Sequence, residues 1–234
     1  MKKLIHRAGE RGIAEFGWLH SRHSFSFGQY YNPEKVNYGL LRVLNDDIVE
    51  PGEGFGTHPH DNMEIISIVL KGQLEHRDSM GNGSVINEGD VQVMSAGTGI
   101  THSEFNPSDS DRVNFLQLWI FPAERGLKPR YDQKKFDIKD NDIIKVVSGE
   151  KEGSQLFINQ DASIYRGKLG TGKEFIFRFD KKDFGAYLFV LEGSIILDGV
   201  TLSKRDAAGI SETEDFLIRS EKDSEFIIIE TPMN

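Results

Sequence analysis

The sequence predicts an all-β protein made of two β-rich halves, and three observations predict it. Short runs of strand-forming residues recur every ten positions or so, Gly, Asn and Asp cluster between them, and a long central stretch is polar without any apolar period. Glycine is frequent, at 24 of 234 residues, against 7 prolines and 16 phenylalanines. That mix suits strands and tight turns better than a helical bundle.

Along the chain, the lead-in carries Trp18-Leu19 and then His23-Ser24-Phe25-Ser26-Phe27, where Phe25 and Phe27 alternate with serines and predict an added strand. Strands are next expected over Tyr38–Leu44, Glu64–Leu70, Gln73–Arg77, Val91–Ser95 and Asn114–Phe121. Met80-Gly81-Asn82-Gly83 supplies an Asn-Gly pair for a tight hairpin. Ala123 to Asp142 has no sustained apolar spacing and reads as a linker or crossover arm. Beyond it, strands are expected over Lys145–Val147, Glu174–Asp180, Tyr187–Leu191, Ser194–Leu197, Phe216–Arg219 and Phe226–Glu230, with Asp198-Gly199 closing a second hairpin. Ile68-Val69-Leu70-Lys71-Gly72-Gln73-Leu74 is echoed by Phe189-Val190-Leu191-Glu192-Gly193-Ser194-Ile195, which suggests a duplication. The units expected are residues 1–132, with a linker to about 142, and residues 143–234.

Charge and composition narrow the function. Lys plus Arg number 28 against 37 Asp plus Glu, a formal charge of −9, so direct binding to nucleic acid or an anionic membrane is disfavoured. There is no cysteine. Disulfide scaffolds, thiolate metal sites and cysteine nucleophiles are thereby excluded. Met1-Lys2-Lys3-Leu4-Ile5-His6-Arg7 is not followed by the apolar stretch of a secretory signal, and runs such as Phe226-Ile227-Ile228-Ile229 fall far short of the ~18 residues a membrane span needs. A soluble, cytoplasmic protein is expected.

The seven histidines, His6, His20, His23, His58, His60, His76 and His102, all lie in the first 102 residues. Only the first half can therefore hold a metal through imidazole. His58-Pro59-His60 sets two rings at i and i+2, which on an extended strand share a face with Cα atoms about 6.6–7 Å apart, close enough to converge on one ion. Pro59 lacks the amide hydrogen for a ladder and places the pair at an edge or bulge. His102 and Glu104 form a second i, i+2 pair. On facing strands the two pairs would supply three nitrogens and one carboxylate, a set that suits Fe(II), Mn, Co, Ni, Cu or Zn. His76, between Glu75 and Arg77, is expected to face solvent on a hairpin. His20 and His23 are expected at the surface or in packing, and His6 as an ordinary terminal residue. Asp180, Asp183, Glu212 and Asp215 of the second half read as solvated turn charges.

The glycine frame around these pairs carries a resemblance. Gly52-x5-His58-x-His60-x3-Glu64 with Gly72 is similar to the first cupin motif, with one extra residue before the last glycine. Gly89-x5-Ser95-Ala96-Gly97 followed by His102-x3-Asn106 is similar to the second, with Ser in place of Pro and two extra residues before the histidine. Gly54-Phe55-Gly56-Thr57-His58-Pro59-His60, Asp78-Ser79-Met80-Gly81-Asn82, Ala96-Gly97-Thr98-Gly99-Ile100, His102-Ser103-Glu104 and the lead-in around Gly17-Trp18-Leu19 resemble the pirin family, most closely its bacterial quercetinase-like members. The likeness is dense over about residues 1–132 and diffuse beyond.

The resemblance implies a bicupin: two β-barrel (double-stranded β-helix, jelly-roll) domains packed together, an N-terminal metal-binding cupin and a degenerate C-terminal one without ligands. It implies His58, His60, His102 and Glu104 as ligands of one divalent transition metal, Fe(II) before Mn, Co, Ni, Cu or Zn. In ordinary cupins Glu64 would take the glutamate's place; here Glu64 is left as a supporting residue or an edge charge. The implied activity is a quercetin 2,3-dioxygenase, in which O2 opens the flavonol's heterocyclic ring and carbon monoxide leaves. Glu104 is the candidate general base for the flavonol hydroxyl, and Phe55, Phe115 and Phe121 are candidate pocket walls. The implied partners are a flavonol-like substrate and O2, in a monomer or weak oligomer. The alternative is a metal-dependent regulatory module that binds a protein partner without turnover. A cupin isomerase acting on a sugar phosphate would need basic residues at the site, and only Lys71, Arg77 and Arg112 are near the ligands in sequence.

Overall fold

The computed structural model describes residues 1–233. Among these, twenty strands and one 3-10 turn (Ala8–Glu10) make up the regular structure, and no helix is long and apolar enough to cross a membrane. In chain order the first half contributes β1 (Lys2–His6), β2 (Gly12–Glu15), β3 (Leu19–His23), β4 (Leu41–Val49), β5 (Gly54–His60), β6 (Glu64–Lys71), β7 (Gln73–Asp78), β8 (Gly83–Asn87), β9 (Asp90–Ser95), β10 (Ile100–Phe105), β11 (Val113–Ile120) and β12 (Arg130–Lys135). The second half contributes β13 (Asp142–Ser148), β14 (Leu156–Phe157), β15 (Ser163–Leu169), β16 (Glu174–Arg178), β17 (Phe184–Leu197), β18 (Val200–Ser203), β19 (Ala207–Ser211) and β20 (Asp215–Pro232).

Two sheets shape the first half. One runs β12-β9-β6-β11-β4-β3-β2 and the other β5-β10-β7-β8. The all-β jelly-roll expectation is borne out. The second half forms one large sheet along β19-β17-β20-β15-β13-β14, and β1 joins it at the β19 edge. The chain's first strand thus belongs to the second half's sheet.

Strand alternation explains how the halves meet. On β6 and β11 the even residues Ile66, Ile68, Leu116 and Leu118 pack in one fully buried cluster with Val146, Ile164, Tyr187 and Phe189 of the second half. The odd residues of the same strands face the four-stranded sheet, so Val69 and Phe115 pack with Leu74 and Ile86. Both faces are buried, which is why these strands read as nearly continuous apolar runs. The repeated Gly72 and Gly193 mark corresponding corners: both have positive φ, 79° and 82°, and a Cβ on Gly193 would lie 2.2 Å from the Asp223 carbonyl oxygen. At Gly72 the chain passes from one sheet to the other, while at Gly193 the corner stays within β17.

Three local expectations are corrected. Phe25 and Phe27 do not form a strand; the strand ends at His23, and the rings part. Phe25 is buried against Tyr187 (5.2 Å between centroids) and Phe27 packs edge-on to Trp119 (5.3 Å). The arm from Ala123 to Asp142 contains β12, whose polar residues suit the exposed edge of the seven-stranded sheet. His6 is buried, with Nδ1 2.9 Å from the Tyr187 hydroxyl. Asp180, Asp183, Glu212 and Asp215 are exposed as expected.

Candidate metal centre

The centre is built on β5, β10 and β7. β5 is an edge strand, which accommodates Pro59. In the antiparallel register His58 lies opposite His102, and Ile100 opposite His60. On the other side of β10, Asp78 lies opposite His102 and His76 opposite Glu104. Paired residues share a face, so one patch of the four-stranded sheet gathers His58, His60, His102, Glu104, His76 and Asp78.

The imidazoles converge. Ring centroids are 4.8 Å apart for His58 and His60, 4.5 Å for His58 and His102, and 4.9 Å for His60 and His102. One nitrogen from each of these three lies within 4.8 Å of the others, and His102, His76 and Glu104 satisfy the same limit. The structure thus joins the three predicted histidines in one group and attaches Glu104 through His102.

Hydrogen bonds determine which nitrogens are free. His58 Nδ1 lies 2.8 Å from the Gly56 carbonyl oxygen, which can only accept, so Nδ1 carries the proton and Nε2 keeps its lone pair. A longer row does the same for His102. His76 Nε2 lies 3.2 Å from Asp78 Oδ2 and donates to it; His76 Nδ1 is then the acceptor for His102 Nδ1–H at 3.4 Å. That leaves His102 Nε2 unprotonated, buried and without any partner. Burial, reinforced by the neighbouring histidines, pushes His60 down to about 4 and His102 down to about 3, so both are neutral at pH 7. A cluster of imidazoles with an orphaned, buried nitrogen fits a bound cation.

Asp78 anchors the row. Burial pushes this carboxyl up, but hydrogen bonds from Asn82 and His76 outweigh that and hold it below its ordinary value. Its oxygens accept from the Met80 and Asn82 amides and from Asn82 Nδ2. The Met80–Gly83 hairpin therefore sets the protonation of a nitrogen two side chains away. The solvent-facing reading of His76 is corrected: it is fully buried and stacks on Tyr131 of β12, with centroids 4.6 Å apart. The alternation of Leu74, His76 and Asp78 with the charged Glu75 and Arg77 is the signal in the sequence that points to this. His76→Phe should keep the stack while removing the acceptor for His102. The expected loss is roughly 10- to 100-fold in metal affinity, measured by chelator competition; unchanged affinity would refute the row.

Glu104 is 2% exposed, and both of its oxygens are held. Gln117 Nε2 donates to Oε2 at 2.8 Å, and Ser67 Oγ lies 3.1 Å from Oε1. Glu64 stands on the other face of β6 and turns away from the centre. It is buried beneath the second half, where Ser95 Oγ donates to it at 2.7 Å and Asn159 Nδ2 at 3.1 Å, while burial pushes its carboxyl up. Its role is to pin the two halves together.

The aromatic wall differs from the one expected. Phe115 is a core residue, Phe55 packs on Trp18, and Phe121 lies beyond the end of β11 at 39% exposure. Trp119 instead stands edge-on to His60 at 4.9 Å. It lies two residues past Gln117 on the same face of β11, a spacing that could have identified it.

Asp47, on the same sheet face as Gln117, is a further buried carboxyl on the side of the seven-stranded sheet that faces the four-stranded one. The Ser21 hydroxyl donates to it. Burial, with smaller contributions from Asp46 and Glu104, pushes it up to about 7 from an ordinary 3.8. The folded state therefore holds this proton more tightly than the unfolded one, and the Asp47 contribution to stability falls as pH rises from about 4 to 7. Asp47→Asn should remove that loss. Relative to wild type, the variant is expected to gain up to about 4 kcal/mol at pH 8 and nothing at pH 4, measured by denaturant unfolding across pH. A constant difference across that range would refute the assignment.

Known proteins resemble the chain over nearly its whole length. The family model described as Pirin matches residues 6–120, and the quercetinase C-terminal cupin domain matches residues 145–231. The chain is 40% identical over 228 residues to quercetin 2,3-dioxygenase of Escherichia coli strain K12, covering 97% of this chain and 98% of that protein. A crystal structure of a bacterial pirin from Escherichia coli in complex with nickel(II) superimposes with a TM-score of 0.95 at 39% identity, covering 99% of both chains. A quercetin 2,3-dioxygenase from Acinetobacter baumannii shares the fold, with a TM-score of 0.81 at 22% identity over 98% of this chain and 86% of that one.

Proposed function

The chain belongs to the pirin family, and from that premise we propose that it is a metal-dependent dioxygenase that opens the heterocyclic ring of a flavonol with O2. The observation that carries the reading is the His58, His60 and His102 cluster with its unpartnered, buried His102 Nε2. His58, His60, His102 and Glu104 would hold one divalent transition-metal ion, with Fe(II) as the first choice. When bound, such an ion acidifies a coordinated flavonol hydroxyl, so that the substrate is held as an electron-rich anion.

The chain's own residues do the rest. Glu104 accepts the hydroxyl proton at a carboxylate oxygen. Ser67 and Gln117 orient that carboxylate, and the Asp78–His76 row presents His102 in the tautomer with a free Nε2. Trp119, beside His60, gives a flat ring an apolar surface to lie against. The substrate ring then takes up both oxygen atoms of O2, and one ring carbon leaves as carbon monoxide. Residues 1–132, with the arm to about 142, form the metal-binding unit, apart from β1, which is lent to the other sheet, and residues 143–234 are a companion without ligands. A cytoplasmic location belongs to the same reading.

Quercetin should be supplied under air to protein loaded in turn with Fe(II), Mn, Co, Ni, Cu and Zn, following loss of flavonol absorbance and release of carbon monoxide. Turnover with at least one metal is expected. No turnover with any of them, together with a stable metal-dependent protein complex, would favour the regulatory module instead.

A further inference from the structure

The seven-stranded sheet has a back as well as a front. Ser67 and Gln117 reach Glu104 at the front, while Asp46, Ile48, Leu70 and Asn114 stand at the back, facing the second half. Between that back face and the second half lies a cavity of about 760 Å³. Around its rim, charges cancel: Arg112 pairs with Glu50 at 2.6 Å and Lys204 with Glu192 at 2.7 Å.

The inner wall leaves guanidinium donors unpaired. Asp46 serves two guanidiniums at once, Arg11 at 3.2 Å and Arg205 at 3.1 Å. Arg205 keeps a buried Nη1 without an acceptor, although Nη2 reaches Asn114 Oδ1 at 3.2 Å. Arg166, on β15, is 7% exposed and has no carboxylate within 4.0 Å. Its Nη1 donates to the Gly89 carbonyl oxygen at 2.9 Å, and its Nε has no acceptor. Glu225, the acidic group that acts on it, is committed to Lys168 at 2.9 Å. Burial outweighs the pull of Glu225 and holds the Arg166 guanidinium below its ordinary range. Two guanidiniums of the lining, Arg166 and Arg205, thus each keep a buried N–H without an acceptor in a cavity large enough for a small molecule.

We infer that this cleft binds a small organic anion, its phosphate or carboxylate head neutralising Arg166 and Arg205 and its apolar body lying against Ile48, Leu70 and Leu191. A guanidinium matches either head group with paired N–H donors. The cleft lies across the sheet from the candidate metal centre and calls on none of its residues.

The test titrates phenyl phosphate, benzoate and inorganic phosphate into the protein as purified. Melting temperature and calorimetric binding are read against sodium chloride of equal ionic strength. Phenyl phosphate or benzoate should raise the melting temperature beyond chloride and bind once per chain, and the tighter of the two identifies the head group. Inorganic phosphate, lacking the body, should bind more weakly than phenyl phosphate. Arg166→Met and Arg205→Met should each weaken binding roughly 10- to 100-fold, and His58→Ala should leave it unchanged. Should Arg166→Met fail to fold, Arg166→Lys and Arg205→Met carry the comparison. The inference is overturned if no probe exceeds chloride, if Arg205→Met binds like wild type, or if His58→Ala abolishes binding, which would assign the anion to the metal centre.

Discussion

Replacing His102 by alanine is expected to cost metal binding and with it flavonol turnover, by ~10³-fold or more. His102 belongs to both candidate ligand groups, and its Nε2 is the one imidazole nitrogen there that is both buried and unpartnered. Two histidines on the β5 edge cannot by themselves enclose an ion. The variant should still fold, since the surrounding apolar clusters are untouched, so its far-ultraviolet spectrum should match wild type. The discriminating measurement is the rise in melting temperature on adding metal. For wild type, metal at a hundred times its dissociation constant contributes about 2.7 kcal/mol, and for His102→Ala that gain should vanish. A variant that keeps both the gain and turnover would refute the assignment of the centre.

Glu104→Gln tests the other predicted role. An amide keeps the size of the side chain, and its oxygen can take the Gln117 Nε2 donor while its NH₂ turns to Ser67 Oγ, whose lone pairs accept. The fold should therefore survive. What is lost is a group able to take the flavonol proton, so kcat should fall by about 10²- to 10⁴-fold at matched metal content. Metal loading is measured in the same samples, so that weakened binding and lost proton transfer are separated. A kcat within a few-fold of wild type at full loading would remove Glu104 from the proton step.

Much of the candidate site is legible in the amino-acid sequence. His58, His60, His102 and Glu104 declare themselves because side chains two apart on a strand share a face, and that rule needs no partner strand. What the rule omits is the partner. Glu64 lies only four residues past His60, yet Asp61, Asn62 and Met63 intervene between β5 and β6, and β6 belongs to the other sheet. Its even-numbered face meets the second half, a fact that depends on how two sheets and two halves stack. Ser67 and Gln117 escape notice for the same reason: each is an ordinary polar residue in an apolar run until the stacking of the two sheets sets β10 across from it. Arg166 is another such case. Nothing near it in sequence signals a buried cation, because the carbonyl it bonds, that of Gly89, comes from the opposite half.

The position of β1 has a practical consequence. The strand nearest the start of the chain hydrogen-bonds along β19, in the sheet made by the distant end, and His6 meets Tyr187 there. A gene cut in the arm would yield one fragment trailing a ribbon with nothing to pair and another with the raw β19 edge exposed to aggregation. Neither piece is a self-sufficient building block. Making the metal-binding portion by itself would call for deleting β1, and rescuing the remainder would call for supplying it in trans.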